Sequence, residues 1–391
     1  MNNKVAICTI SSANYFSLGK TMLQSVANVH ADCDLFYLIV EKNTIGIPSE
    51  NGFSVVSLQE LQIPDHEKMA FAYGIAEFNT AVKPFFLSFL FSKGYQKVIY
   101  LDPDIFVYNR LDTALQALDT FSIILTPHSL HPDKDPVSFL DTVQWEQSME
   151  CSGVFNLGFL GLSKTSETME FLDWWKKRCR FLCIMEPQSG IYVDQKWAEL
   201  AIAYWDHVYI LRDPGYNVSV WNLHERTLSG LSVNGNQPLV FYHFSSIDIN
   251  NDSIISKHVK NYSFEQYPAL VDIFTNYRSR VKANGYSHFV KIPYSYGFFS
   301  GGHPIDLLER RLYAMVAERY GDPFESNQKT FYKNIKQYAH DVRFQLPVQN
   351  LPLLIKIAPW IFRFIGPERY RRFVTLLAKA ALLRNHTFLL K

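Results

Sequence analysis

The chain has 391 residues, of which 48% are hydrophobic and 15% aromatic, and its formal net charge is +1. This composition is typical of a globular enzyme or binding protein and excludes a disordered chain, and the near-neutral charge gives no reason to expect a nucleic-acid partner. The N-terminal apolar run is too short for a signal peptide, and every stretch of about 18 residues contains charge. We therefore predict a cytoplasmic protein without a membrane-spanning helix.

The five cysteines favour the same compartment. Cys179 and Cys183 are the only close pair, and their spacing places them one turn apart on a helix, with no His or Cys set nearby to complete a zinc site. We predict buried, reduced thiols, as expected of a cytosolic protein.

Predicted strands and helices alternate along most of the chain. The predicted strands cover residues 4–10, 35–40, 53–56, 98–107, 121–125, 153–162 and 239–244, and the predicted helices cover 16–29, 84–93 and 165–181. Continuous apolar strands alternating with helices predict an α/β fold with a mostly parallel, doubly wound sheet flanked by helices. Beyond about residue 256 helical patterns dominate.

The stretch VIYLDPDIFV, residues 98–107, places two carboxylates in an otherwise apolar run. Asp102 and Asp104 lie just past Val98-Ile-Tyr-Leu101, so the stretch is best interpreted as two buried segments that meet at the carboxyl edge of the sheet, where the ligand crevice of an open α/β sheet lies. The Asp-x-Asp triplets at 32–34 and 133–135 do not end a strand. Two carboxylates with a stiffening proline between them can hold Mg²⁺ or Mn²⁺, which in turn would hold a diphosphate. An Asp-Pro turn that ends the strand is the alternative.

Further short motifs occur in a characteristic order. Between residues 4 and 250 these are Asn14-Tyr15 after the first strand, Thr80-Ala-Val-Lys83, YLDPDIFV, Phe155-Asn-Leu-Gly158, Asp194-Gln195 and Tyr242-His-Phe244. This order resembles that of glycosyltransferases with the Rossmann-like GT-A fold, especially the DxD-containing family 8, which transfers sugars from nucleotide donors with retention. GYNVSVWNLHER (215–226) and HFSSID (243–248) further resemble the enzymes of bacterial polysaccharide and lipopolysaccharide gene clusters.

The resemblance implies roles for individual residues. The implied metal ligands are Asp102, Asp104 and His243, and the imidazole favours Mn²⁺ over Mg²⁺. The implied donor-binding residues are Thr9, Asn14, Tyr15, Lys83 and Asp102. The implied catalytic residues, on the sugar and acceptor side, are Asn156, Asp194 and Gln195.

Several of these residues have a structural alternative. His243 and Tyr15 could be ordinary core residues, and Lys83 could be a solvated lysine at the start of a helix. Asn156 could cap a turn, and Asp194 could be the N-cap of the helix that follows it.

Two positions depart from the family pattern. The lysine that usually follows the motif histidine and helps to hold the diphosphate is replaced by Ile249, which leaves Lys257 or Arg226 as candidate cations. Ser12 stands where the family often has an aspartate near the base. The resemblance favours a UDP-sugar donor, but this substitution leaves the base open.

The expected chemistry is departure of the diphosphate from the anomeric carbon, with its developing charge neutralised by the metal ion. Inversion would need a general base for the acceptor hydroxyl, whereas retention would use a carboxylate nucleophile or attack from the same face. Asp194 is the candidate near the reacting carbon, with Gln195 as an orienting amide.

We predict a catalytic, nucleotide-sugar-binding domain over residues 1–255 and a helical extension over 256–391 on the acceptor side. The aromatic stretch 286–299 either lines an acceptor groove or packs in the core. From Pro352 onward there are eight Lys and Arg residues against one acid, a net charge of +7. This basic and apolar tail, 352–391, either lies on an anionic membrane surface or packs on its own domain.

The function implied is transfer of a hexose-like sugar from a nucleotide-diphosphate donor to a saccharide or lipid-linked saccharide acceptor in cell-surface polysaccharide synthesis, in the cytoplasm or on the inner face of the membrane. A sugar-nucleotide nucleotidyltransferase would normally carry a glycine-rich basic loop after the first strand, and SSANYFSLGK has none. A non-catalytic carbohydrate-binding protein would not need three metal ligands. Nothing in the sequence predicts an oligomeric state.

Overall fold

The computed structural model describes residues 4–44, 46–48, 52–138, 141, 143–339, 360–362, 364–366, 369–370 and 372–374. The chain forms two compact units, Met1–Gly297 and Phe298–Lys391. The first unit extends beyond residue 255, where the predicted catalytic domain ends. The division of function between 1–255 and 256–391 stays a prediction.

Strands and helices alternate as predicted. The strands are β1 (Val5–Ser11), β2 (Asp34–Ile39), β3 (Ser54–Ser57), β4 (Lys97–Leu101), β5 (Ile105–Val107), β6 (Ile123–Pro127), β7 (Phe155–Ser163), β8 (Met185–Glu186), β9 (Ile191–Tyr192), β10 (Val208–Ile210), β11 (Leu228–Ser229), β12 (Ser232–Val233), β13 (Gln237–Pro238) and β14 (Phe241–His243). The helices are α1 (Phe16–Val29), α2 (His66–Ala72), α3 (Ile75–Ala81), α4 (Lys83–Ser92), α5 (Asp112–Ala117), α6 (Gln144–Ser152), α7 (Ser166–Leu182), α8 (Gln195–Ala198), α9 (Ala201–Tyr204), α10 (Leu270–Ala283), α11 (Tyr286–Phe289), α12 (Leu307–Ala314) and α13 (Gln328–Ala339). The elements assigned beyond β14 are helices, as predicted for the C-terminal extension.

Seven strands form the central sheet in the order β10-β6-β7-β4-β1-β2-β3. Parallel pairs join β1 to β2 and β4, β2 to β3, and β10 to β6, whereas β7 is antiparallel to both β4 and β6. Helix α1 packs on β1 and β2, and α4 packs on β4 and α7. The predicted α/β class, with a mostly parallel sheet flanked by helices, is confirmed.

The stretch VIYLDPDIFV forms two buried strands, one on each side of the Asp-Pro-Asp turn. β4 ends at Leu101 and β5 begins at Ile105, and the turn between them is closed by a bond from Ile105 N to the Asp102 carbonyl at 3.1 Å. The predicted strand at 239–244 is β14, which lies outside the central sheet and pairs with β5 in a separate antiparallel ribbon. This pairing places His243 opposite Ile105, directly beside the Asp-Pro-Asp turn.

The turn after β1 is held by contacts with β2. Phe16 at the start of α1 stacks on Tyr37, with 5.3 Å between ring centroids. A Cβ at Gly19 would overlap the Tyr37 ring, so glycine permits this close approach. The Tyr37 hydroxyl donates to the Tyr15 carbonyl at 3.2 Å, which fixes the 3-10 turn Ala13–Tyr15.

Three minor predictions have a clear outcome in the described residues. Cys179 and Cys183 are buried free cysteines, as predicted. In the aromatic stretch 286–299, Phe289 and Tyr296 are 8% and 1% exposed. These two side chains therefore pack in the core rather than line an acceptor groove. Within the described ranges, no helix combines the length and hydrophobicity that a membrane crossing requires.

Candidate active site

A cavity of about 400 Å³ lies at the Asp-Pro-Asp turn. The predicted site residues that line it are Lys83, Asp102, Asp104, Asn156, Asp194, Gln195 and His243. The chain therefore brings together residues from α4, β7, α8, β14 and two turns. Thr9, Asn14 and Tyr15 do not line this cavity.

Three predicted metal ligands converge on one wall of the cavity. Nε2 of His243 lies 3.1 Å from Oδ1 of Asp104 and 3.8 Å from Oδ2 of Asp102. The Tyr100 hydroxyl donates to the other oxygen of Asp102 at 2.6 Å. One ligand atom of each of the three residues lies within 4.8 Å of the others, and two carboxylates with one imidazole are a donor set that suits Mn²⁺.

The electrostatic surroundings of His243 differ from those of a core histidine. Burial acts to lower the pKa of His243, but the carboxylates of Asp104 and Asp102 outweigh burial and raise that pKa above its ordinary value. His243 is buried, but its Nε2 faces acidic oxygens at the cavity wall, and its role as a metal ligand stays a prediction.

Gly158 of β7 lies against two of the three predicted metal ligands, Asp102 and His243, and against Asn156. A Cβ at this position would lie 2.9 Å from Oδ2 of Asp102 and 2.7 Å from Oδ1 of Asn156, and it would overlap the ring of His243. The Gly158 carbonyl also accepts a hydrogen bond from Asp102 N at 2.8 Å. The glycine of the Phe155-Asn-Leu-Gly158 motif is therefore required by the space that the ligands occupy.

Lys83 and Asp194 form a buried ion pair beside the metal-ligand cluster. Lys83 Nζ lies 2.6 Å from Oδ2 of Asp194, and both side chains are 2% exposed. The ammonium also donates to the Leu157 carbonyl at 2.9 Å and lies 4.2 Å from the centroid of the Tyr100 ring. The solvated-lysine alternative is wrong, and Asp194 stands at the N-cap of α8 without a side-chain capping bond.

The charge of Lys83 is maintained by its neighbours. Burial acts to lower its pKa, but the carboxylates of Asp194 and Asp102 outweigh burial, so the pKa of Lys83 lies above its ordinary value. A cation is thus fixed next to the two metal-site carboxylates, where an anionic ligand would lie.

Replacing Lys83 with methionine should lower the free energy of unfolding by about 3–5 kcal/mol, because the Asp194 carboxylate is then buried without a partner. Urea unfolding of Lys83→Met, Asp194→Asn and the double variant measures this. We expect the double variant to recover most of the loss. If the losses of stability in the two single variants add in the double variant, the two side chains do not interact and the ion pair is contradicted.

The amides of Asn156 and Gln195 are held by the main chain. Asn156 Oδ1 accepts from Gly158 N at 3.1 Å, which is the capping contact of the structural alternative. Gln195 Oε1 accepts from Leu157 N at 3.0 Å, and its Nε2 donates to the Ser152 carbonyl at 2.8 Å. Both side chains line the cavity in fixed orientations, and their catalytic roles stay predictions.

His128 is a cavity residue that the sequence analysis did not identify. Its Nε2 accepts from Nδ2 of Asn156 at 3.2 Å, and its Nδ1 donates to the Val154 carbonyl at 3.3 Å. Burial lowers the pKa of His128 to about 4, so the ring is neutral at pH 7 and fixes the Asn156 amide. His128 follows β6 with no flanking motif, so the sequence carries no signal for it.

Three of the predicted donor-binding residues, Thr9, Asn14 and Tyr15, lie in β1 and the turn after it. Asn14 Oδ1 accepts from the Ser12 hydroxyl at 2.7 Å. Tyr15 is 45% exposed, so it is not a core residue, and burial together with the Asp104 carboxylate raises its pKa. Thr9 is fully buried in β1. The donor roles of these residues stay predictions.

The two candidate replacements for the missing lysine lie in different surroundings. Arg226 is 2% exposed, donates to the Tyr216 carbonyl and lies 3.4 Å from Glu225, away from the cavity lining. Lys257 is exposed, and its backbone N donates at 3.0 Å to the carbonyl of Ser246, which lines the cavity. Lys257 is the better placed of the two.

A second cluster, His30, Asp32 and Cys33, does not suit a metal ion. His30 Nε2 accepts from Leu111 N at 2.8 Å, so the proton of the neutral ring is on Nδ1, the nitrogen that faces the cluster. Asp32 is already paired with Arg110 at 3.2 Å.

Comparison with known proteins gives distant similarities. No protein-family model matches the chain. The uncharacterized protein YfnF of Bacillus subtilis (strain 168) is 23% identical over 253 residues, which span 62% of this chain and 82% of the relative. The uncharacterized protein YfnD of the same organism is 25% identical over 242 residues, 58% of this chain and 74% of the relative. The galactosyltransferase LgtC, solved with donor and acceptor sugar analogs, has a TM-score of 0.39 and 14% identity over 70% of this chain and 95% of its own. At this distance the similarities transfer no activity.

Proposed function

We propose that the protein is a metal-dependent glycosyltransferase of the GT-A type that moves a sugar from a nucleotide-diphosphate donor to a saccharide or lipid-linked saccharide. The observation that carries this proposal is the convergence of Asp102, Asp104 and His243 on a cavity that also contains the buried Lys83–Asp194 pair. Cell-surface polysaccharide synthesis is the proposed context, because the motif order resembles enzymes of that kind.

The proposed roles follow from the contacts. The proposed metal ligands are Asp102, Asp104 and His243, which would hold Mn²⁺ or Mg²⁺. The bound ion would neutralise the negative charge that develops on the departing diphosphate. Lys83 keeps a positive charge beside the metal-site carboxylates, where the diphosphate would bind. Asp194, held by Lys83, lines the cavity, and its carboxylate would stabilise the positive charge that develops on the anomeric carbon of the departing sugar.

Retention is the stereochemical outcome that the cavity favours. An inverting enzyme needs a general base for the acceptor hydroxyl. Among the described residues that line the cavity, the carboxylates are Asp102, Asp104 and Asp194 and the imidazoles are His128 and His243. Each of these groups already has a partner in the contacts given above, which supports attack from the same face without a separate base.

The cavity lining also includes aromatic and apolar side chains, which are the proposed place for the acceptor. Trp145 of α6 lines the cavity and stacks on Tyr262, with 6.4 Å between centroids and 8° between ring planes. Met185 and Tyr192 of the β8–β9 ribbon also line the cavity. Flat aromatic faces are suited to the apolar side of a sugar ring.

Lys257 is proposed to supply the cation that the family lysine would have supplied. We expect Lys257→Gln to weaken binding of a nucleoside diphosphate about tenfold, the loss of one charge-assisted hydrogen bond. Calorimetric titration measures this, and Lys260→Gln is the control, because Lys260 is also exposed, lies in the same segment and does not line the cavity. Equal affinity of the two variants would exclude Lys257.

Contact of the tail with an anionic membrane is also proposed. Most of residues 352–391 lie outside the described residues, but Trp360 and Phe364, four positions apart in the sequence, are 76% and 94% exposed. A net charge of +7 accompanies these apolar side chains. We expect the full chain to float with anionic liposomes and a chain ending at residue 351 to stay behind. Equal flotation would remove this role.

The function is tested with a panel of nucleotide sugars in which hydrolysis is measured with Mn²⁺, with Mg²⁺ and with chelator. Metal-dependent release of a nucleoside diphosphate from one donor would support the proposal and identify the donor. A nucleotidyltransferase would instead release a sugar phosphate together with a nucleoside triphosphate, and only when pyrophosphate is added as co-substrate. A non-catalytic binding protein would release nothing under either condition.

A further inference from the structure

The imidazole of His243 is fixed by residues of the GYNVSVWNLHER segment. Its Nδ1 lies 3.3 Å from Oδ1 of Asn217, which is fully buried. The Trp221 ring meets the imidazole edge to face, with 5.1 Å between centroids. His243 N donates to the Val218 carbonyl at 2.8 Å, and the Ser219 hydroxyl donates to the His243 carbonyl at 2.7 Å. These contacts leave Nε2 directed at the two metal-site carboxylates.

Asn217 occupies this position at a cost to stability. Its φ of +55° lies in the left-handed region, which most side chains avoid and asparagine tolerates. Its Nδ2 is buried without a hydrogen-bond partner in the described structure. An unpaired buried donor destabilises a fold, and a residue that breaks a local rule in this way is typical of a functional constraint.

The backbone of Asn217 is itself locked in place. The buried side chain of Asn222 donates from Nδ2 to the Asn217 carbonyl at 2.9 Å and to the His128 carbonyl at 2.9 Å. Oδ1 of Asn222 accepts from Ser219 N at 2.9 Å. The segment therefore forms a rigid support behind His243 rather than a surface loop.

We infer that Asn217 is a positioning residue of the metal centre: its Oδ1 accepts Nδ1–H of His243 and so leaves the Nε2 lone pair for a divalent cation. Which ring nitrogen of a histidine binds a metal is set by the hydrogen bond of the other nitrogen. Asn217 acts through His243 and does not line the donor cavity. The inference rests on the proposed metal-dependent function.

Two variants of Asn217 distinguish the effect of its side-chain oxygen from the effect of its backbone conformation. Asn217→Gly keeps the left-handed conformation without strain but removes the oxygen, whereas Asn217→Asp keeps the oxygen. Mn²⁺ binding to the metal-free protein, without nucleotide, is measured from the paramagnetic resonance of free Mn²⁺. We expect Asn217→Gly to weaken binding about 10-fold to 100-fold and Asn217→Asp to bind at least as tightly as the wild type. Equal affinity of Asn217→Gly and the wild type would overturn the inference.

Asn234→Gly is the matched control for the change of residue type. Asn234 also has a positive φ, 50°, and its Oδ1 accepts from Thr227 N at 2.8 Å, but it does not line the cavity. We expect this variant to bind Mn²⁺ like the wild type. A similar loss in Asn234→Gly and Asn217→Gly would show that Asn217 acts through folding alone.

A second measurement needs no metal and separates this inference from the proposed function. In protein labelled with ¹⁵N-histidine, the Nδ1–H resonance of His243, assigned by its absence in His243→Gln, should be visible in the wild type and lost in Asn217→Gly. Its persistence in Asn217→Gly would overturn the inference. If the wild type binds no Mn²⁺, the proposed function fails, and this resonance still decides whether Asn217 holds the ring.

Discussion

Asp104→Ala is expected to abolish metal-stimulated turnover of the nucleotide-sugar donor, with a loss of about a thousandfold, which corresponds to about 4 kcal/mol of transition-state stabilisation. Asp104 Oδ1 faces His243 Nε2 at 3.1 Å, so its removal takes one of three ligands from the proposed metal site. The measurement is the rate of nucleoside diphosphate release with saturating Mn²⁺ and with chelator.

Asp135→Ala is the matched control. Asp135 is also the third residue of an Asp-x-Asp triplet, but it is exposed and does not line the cavity. It should keep full, metal-dependent activity. If Asp104→Ala keeps its activity, or if the wild type is equally active with the metal chelated, the proposed metal site is wrong.

Gly158→Ala should impair the same site without removing any of its ligands. The added methyl group would overlap the His243 ring and lie 2.9 Å from Oδ2 of Asp102, so at least one of the two ligands must move. β7 is paired with β4 from Phe159 onward, and the Gly158 carbonyl accepts a hydrogen bond from Asp102 N at 2.8 Å, so the strand is held beside the site on the β4 side. We expect Mn²⁺ affinity to fall about 100-fold or more, by analogy with other changes that reorient a ligand, and activity to fall with it.

Gly161→Ala separates this effect from general overpacking. Gly161 lies in the same strand, and its Cβ would be 3.3 Å from Cβ of Ile124, a tight contact in the core rather than at the site. Both substitutions should cost about 1–3 kcal/mol of stability, but only Gly158→Ala should weaken Mn²⁺ binding. Titration of Mn²⁺ into both folded variants, together with their urea unfolding curves, measures the two effects. Equal Mn²⁺ affinities would contradict the steric argument.

Local signals in the sequence predicted much of the fold. The predicted helix at residues 16–29 matches α1. Gly94, with a φ of 98°, adopts the left-handed conformation that commonly ends a helix and follows α4. The direction of β7 was not predictable, because all nine of its residues are buried and a strand buried on both faces carries the same pattern in either direction.

The site was predictable where a motif ends a strand and not where tertiary contacts decide. Asp102 and Asp104 follow an apolar run that marks their position. The pairing of Lys83 with Asp194 joins residues far apart in the chain, and burial of a lysine depends on its partner. The proposed role of Asn217 depends on its left-handed backbone conformation and on its long-range contact with His243. Neither feature produces a periodic pattern in the sequence.

The cavity is proposed to bind a nucleoside diphosphate through a divalent cation held by Asp102, Asp104 and His243. The most direct measurement is calorimetric titration of UDP, and of GDP, ADP and CDP because Ser12 leaves the base open, into the wild-type protein with Mn²⁺ and with chelator. The proposed site predicts binding of at least one of these nucleotides in Mn²⁺ that becomes at least about tenfold weaker when the metal is removed. Binding that is indifferent to the metal, or no binding of any of them in Mn²⁺, would contradict it.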